Sequence, residues 1–201
     1  MENDNNLSAM EPLISYELFE KMSKTAHEVA KAKGWWDDVT DMDYHLKRAK
    51  LLVYSELFEA FEATRNDNYA NPAQLKYAMS NDVEYFQTYF RVNIKDTFED
   101  ELADTVVRIW DISGYLFDKT TGHTRQTFKP NKGFISKKPF ALENFTFVEI
   151  LDYLRGRSYN PWEILYYIER ISQLRKFDIG THILTKMKYN EGRKHKHGKS
   201  F

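Results

Sequence analysis

The stretch LKRAKLLVYSELFEAFEATR, residues Leu46–Arg65, places Leu46, Ala49, Val53, Leu57 and Ala60 at steps of three and four. That spacing is the apolar stripe of a helix packed on one side. Glu56 and Glu59 are three apart and share a side of the helix, with Leu52 and Ala63 within one turn of them. Carboxylates set beside an apolar stripe need a cationic partner, a proton or a bound cation.

A second helix answers the first. Thr97–Tyr115, TFEDELADTVVRIWDISGY, carries Glu101 and Asp104, again three apart, and Arg108 and Asp111 extend the same ridge. Leu102, Val106 and Ile109 flank the ridge on one side, and Ala103, Val107 and Trp110 on the other. Either acidic pair alone fits a solvated helix face. Two such pairs in two apolar helices point instead to a shared, partly buried site, because unpaired buried acids are costly.

The whole chain sets limits on what this site can be. At 201 residues it can bury a real core, and one domain spanning 1–201 is expected. Hydrophobic residues at 42% and aromatics at 15% mark a folded globule. A formal charge of −1 gives no global field to draw nucleic acid or membrane, so neither is expected as the main partner. Cysteine is absent, which excludes thiolate metal sites and suits a reducing cytoplasm. No apolar run approaches a membrane span, and MENDNNLSAMEP is too acidic and polar for a secretory signal.

In chain order, Met1–Pro12 reads as a polar lead-in. Ser15–Lys33 reads as a helix with the stripe Leu18, Met22, Ala26, Val29 and Ala30, stopped by Gly34. Trp35 and Trp36 follow, either as core plugs or as a stacking surface for a planar ligand. NDNYANP marks a loop, Pro72–Ser80 a short helix, and VEYFQTYFRV (83–92) a helix or a strand, with helix or an ordered connector favoured. Phe117–Asn144, with DKTTGH, KPNKG and KKP, reads as loop or short hairpin. Thr146–Arg155, Pro161–Arg175 and Asp178–Gly192 read as further helices. On the last of these, Lys186, Asn190 and Arg193 fall on one face if its last turn persists, and RKHKHGKSF continues the positive charge. The expected fold is therefore an all-α helical bundle.

Four acids on two facing helices form a site of hard oxygen ligands, suited to Mg²⁺ or Mn²⁺ rather than zinc. A di-iron bundle would need Glu-x-x-His pairs, and no His here has a Glu three positions before it. Divalent ions held by acids pair naturally with a polyphosphate, whose oxygens complete the coordination shell. Lys186 and Arg193 would neutralise phosphates, and Asn190 would hydrogen-bond a sugar or phosphate oxygen.

The blocks KGWWDD, SELFEAFEATR, ELADTVVRIWD and KMKYNEGRKHKHGK, in that order, resemble the MazG-like family of all-α nucleoside triphosphate pyrophosphohydrolases. The resemblance covers about Lys31–Arg65, Asp100–Gly114 and Lys186–Lys199. It implies hydrolysis of an NTP or dNTP to the monophosphate and pyrophosphate, with Mg²⁺ or Mn²⁺ held by Glu56, Glu59, Glu101 and Asp104. It also implies Glu56 or Glu59 as the group that orients water, and a homodimer or homotetramer. Lys186, Asn190 and Arg193 would meet phosphate or sugar, and Trp36 would line the base pocket. The chain departs from compact relatives in the long aromatic segment between its acidic motifs and in an insertion over about 117–177, which could be a lid, a dimer contact or a docking element.

Two other readings compete. One is a non-catalytic nucleotide- or nucleic-acid-binding helical module that uses the basic tail. The other is purely structural, with the acids paired to Lys47, Arg65 and Arg108.

Overall fold

A computed structural model of the chain describes residues 15–80, 83–119 and 146–195. The polar lead-in, residues 120–145, which include most of the segment expected to be loop or hairpin, and the tail from 196 onward lie outside the described residues. The described residues form eight helices and no strand: α1 Tyr16–Ala32, α2 Met42–Arg65, α3 Pro72–Ser80, α4 Val83–Asn93, α5 Phe98–Lys119, α6 Phe147–Arg155, α7 Pro161–Arg175 and α8 Ile179–Glu191. None of these helices is long and apolar enough to cross a membrane.

The hub is α5. Phe98, Leu102, Val106, Ile109 and Trp110 are all fully buried, so the helix is apolar on most of its circumference. It packs against α1, α2 and α8. The crossing with α1 is close: a Cβ added at Gly114 would come within 2.2 Å of the Ser23 carbonyl oxygen. Only glycine permits that approach. Helix α5 also runs past the expected end at Tyr115, because Phe117 is buried edge-on against Phe19 (5.9 Å, 81°).

The second wall is α2, which starts four residues before the apolar stripe. The Asp41 side chain caps it by accepting from the Tyr44 amide at 3.0 Å. Val53, Leu57, Ala60 and Ala63 turn toward α5 and are buried. Helix α1 ends as Gly34 predicts. Gly34 takes φ +79°, its amide donates to the Lys31 carbonyl at 2.9 Å, and the Trp35 amide donates to the Ala30 carbonyl at 3.1 Å. This is a Schellman exit, and it turns both tryptophans back toward α2 and α5.

The segment 83–92 is helix. Phe86, Phe90 and Ile94 join Leu75, Ala78 and Tyr189 in a satellite core, with Phe90 stacked on Tyr189 at 4.3 Å and 19°. The helices expected within an insertion are integral to the main core. Phe147, Ile150 and Leu154 of α6 and Trp162, Leu165 and Ile168 of α7 belong to the same buried cluster as α1, α2 and α5. Both helices begin with strong caps: a Thr146–Glu149 capping box, and Asn160 ahead of Pro161.

Candidate metal centre and its cavity

The apolar stripes that pack α2 on α5 carry three carboxylates into the seam between them. Glu56, Glu101 and Asp104 each offer one oxygen, and these oxygens all lie within 4.8 Å of one another. Ligand oxygens around a Mg²⁺ ion held at about 2.1 Å lie ~3 to ~4.2 Å apart, so the three would draw closer together to grip one. Glu56 and Glu101 are buried, and the Asp104 side chain keeps 17% exposure.

The fourth expected ligand stands apart. Glu59 is exposed, lies outside the three-carboxylate group and accepts from the Ser55 hydroxyl at 3.2 Å. It lines the same cavity. Three residues advance a helix by 300°, so Glu56 and Glu59 share a side but not a depth.

Two cations sit behind the acids. The Lys186 ammonium, from α8, donates to Asp100 Oδ2 at 2.8 Å and lies 3.0 Å from Asp104 Oδ2. Its side chain is 3% exposed, so this is a buried ion cluster. Arg108 donates through Nε to Glu56 Oε1. Asp100 is 1% exposed and also accepts the Asp96 amide at 3.1 Å. The buried set thus holds four carboxylates (Glu56, Asp100, Glu101, Asp104) against Lys186 and Arg108, a surplus of two negative charges if all are ionised. One divalent cation would balance it.

The protonation pattern reflects that surplus. Burial pushes the Glu101 carboxyl up to about 10, with Lys186 opposing and Asp100, Asp104 and Glu56 adding to the rise. Burial and the neighbouring Asp104 also raise Glu56. Burial works against the Asp104 anion, but Lys186 and Arg108 outweigh it and hold that carboxyl below its ordinary value. Without an ion, the site keeps a proton where a metal would sit.

The carboxylates open onto a cavity of about 430 Å³ walled by α1, α2, α5 and α8. Lys186, Asn190, Arg193 and Trp36 all line it, together with Arg48, Lys95 and Asp111. Asn190 Oδ1 is buried there with no hydrogen-bond partner among the described residues. Arg193 stacks its guanidinium over the Tyr189 ring at 5.5 Å. Lys186 reaches the cavity wall, but its ammonium is engaged by the two aspartates.

Trp36 is held in place. Its indole lies parallel to Tyr115 (4.7 Å, 13°) and tilted against His45 (4.6 Å, 51°), and its N–H donates to Asp111 Oδ1 at 3.0 Å. His27 Nδ1 lies 2.8 Å from the same oxygen. His27 gave no sequence signal, since it sits one position off the α1 stripe. Asp111 was readable as the last member of the α5 ridge.

Of the three cations in the purely structural reading, Arg108 pairs with Glu56 as expected, while Lys47 pairs with Asp43 and Arg65 with Glu62 on the surface; Asp104 pairs instead with Lys186. No protein-family profile, no curated protein and no solved structure matches this chain.

Proposed function

We propose that this protein is a Mg²⁺-dependent nucleotide pyrophosphohydrolase, cleaving an NTP or dNTP between the α and β phosphorus atoms. Mn²⁺ suits the same oxygen ligands. The observation that carries the reading is the buried trio Glu56, Glu101 and Asp104, opening onto a cavity with basic and aromatic walls. The MazG-like motif order in the sequence agrees with it.

Glu56, Glu101 and Asp104 would hold the ion, with Arg108 steadying Glu56 and Lys186 steadying Asp104. The ion supplies Lewis-acid polarisation of phosphoryl oxygens and a more acidic bound water. Water oxygen attacks the α phosphorus, the bridging oxygen leaves with pyrophosphate, and a carboxylate takes the proton. Glu59 is better placed for that than Glu56, which Arg108 occupies. Arg193 and Asn190 would meet phosphate or sugar oxygens from the opposite wall.

Pyrophosphate release across canonical and modified NTPs, with Mg²⁺ or Mn²⁺, tests the reading. Turnover should vanish with chelator and fall about a hundredfold or more in Glu59→Gln. Nucleotide binding with no pyrophosphate from any substrate would leave only the non-catalytic binding module.

The same reading includes a homodimer. Tyr44, Leu51 and Phe58 project from α2 with exposures of 66%, 68% and 45%. Their seven-residue steps are those of a helix–helix seam. An antiparallel second copy of α2 brings the exposed Asp43–Lys47 end against the exposed Glu62–Arg65 end, acid facing base and base facing acid.

A further inference from the structure

Seven residues beyond Asp104 on α5, Asp111 lines the cavity on the same ridge as Glu101 and Asp104. At about 1.5 Å per residue the two are ~10 Å apart along the helix. That matches the reach from an α-phosphate to the far edge of its base.

The hydrogen bonds of Asp111 have a fixed polarity. An indole N–H can only donate, so Asp111 Oδ1 must accept from Trp36. His27 Nδ1 meets the same oxygen. In the tautomer of His27 that carries its proton on Nδ1, two donors fill the lone pairs of Oδ1. Both contacts fall on Oδ1, and the side chain keeps 24% exposure at the cavity wall. The carboxylate is therefore pinned through one oxygen where it lines the cavity. The indole that pins it is itself fixed against Tyr115.

We propose that Asp111 is a specificity-determining residue, whose Oδ2 accepts an N–H of the exocyclic amino group of cytosine or adenine. This rests on the nucleotide reading of the site. A carboxylate oxygen repels the carbonyl that uracil or hypoxanthine places at the same position, and an unpaired buried acceptor is costly. Guanine offers two parallel N–H groups, which call for both carboxylate oxygens; one of these is already taken.

Matched substrates that differ only by an amino group and a carbonyl test this directly. In the full-length protein with Mg²⁺, kcat/KM for CTP over UTP, and for ATP over ITP, should be about tenfold or more, since a charge-assisted hydrogen bond is at stake. Equilibrium binding of CMP over UMP should follow the same order, as a readout independent of turnover. In Asp111→Asn, the Trp36 and His27 donors draw the amide oxygen into the Oδ1 position and leave NH₂ facing the cavity. Both preferences should then fall at least tenfold or invert, with an unchanged far-ultraviolet spectrum showing that the variant is folded. Hydrolysis of both members of each pair at equal efficiency by the unaltered protein overturns the assignment while leaving the pyrophosphohydrolase reading intact. Failure to bind or hydrolyse any nucleotide overturns both.

Discussion

Lys186 Nζ lies 2.8 Å from Asp100 Oδ2, both side chains almost wholly shut off from solvent. Burial pushes Asp100 up to about 6 even with the ammonium beside it. Desolvation opposes the charge on Lys186, yet Asp100, Asp104 and Glu101 raise its pKa above the ordinary lysine value. Lys186→Met leaves two aspartates without their cation and should lower unfolding free energy by about 3–5 kcal/mol in urea titrations. Adding Asp100→Asn to Lys186→Met should restore part of that loss, which a simple packing defect would not show.

Glu101 yields a prediction with a definite sign. Its folded-state pKa of about 10 lies above the ordinary value of 4.5. A raised carboxyl pKa favours the folded state fully below the ordinary value, and the benefit is lost as pH rises toward 10. In chelator at neutral pH, Glu101→Gln should therefore melt higher than the unaltered protein. Millimolar Mg²⁺ should raise the melting temperature of the unaltered protein and leave the variant unmoved. A Mg²⁺ shift that survives the substitution would remove Glu101 from the ligand set.

His182, one turn before Lys186 on α8, contributes to the acid limb. It is 4% exposed, its Nδ1 has no hydrogen-bond partner among the described residues, and burial lowers its pKa from 6.5 to about 4. The depressed value means that stability is complete above pH 6.5 and drains away as pH falls through 4. The full span is worth about 3 kcal/mol. His182→Leu should flatten that limb in unfolding titrations from neutral pH down to the acid end.

Leu51→Glu tests the self-association of α2. Placing an acid at the centre of the Tyr44–Leu51–Phe58 stripe should convert a dimer to a monomer by light scattering while leaving helix content unchanged. A monomer in the unaltered protein at micromolar concentration would remove the proposed seam.

The period of the apolar residues made α1, α2 and α5 legible, and with them the facing of Glu56 toward Glu101 and Asp104. Other features depended on contacts between distant residues. The aromatic run at 83–92 is too short and too evenly apolar for its period to separate helix from connector. Its helical state follows from Phe90 stacking on Tyr189, about a hundred positions away. Helices α6 and α7 show amphipathic spacing, but nothing local reveals that they complete the main core. Asp100 was hidden for a different reason. An acid in the first turn of a helix is ordinary, and only the arrival of α8 buries it beneath Lys186. The separation of Glu59 from the trio was equally invisible, since spacing gives direction around a helix and not depth.

The trio draws ligands from α2 and α5 together, so a captured ion would clip the seam between these two helices from inside. The two helices could not part there without first releasing it. Amide hydrogen exchange along α2 and α5 should slow together on ion uptake, and ion scarcity would expose the same seam to proteolysis before any other part of the bundle.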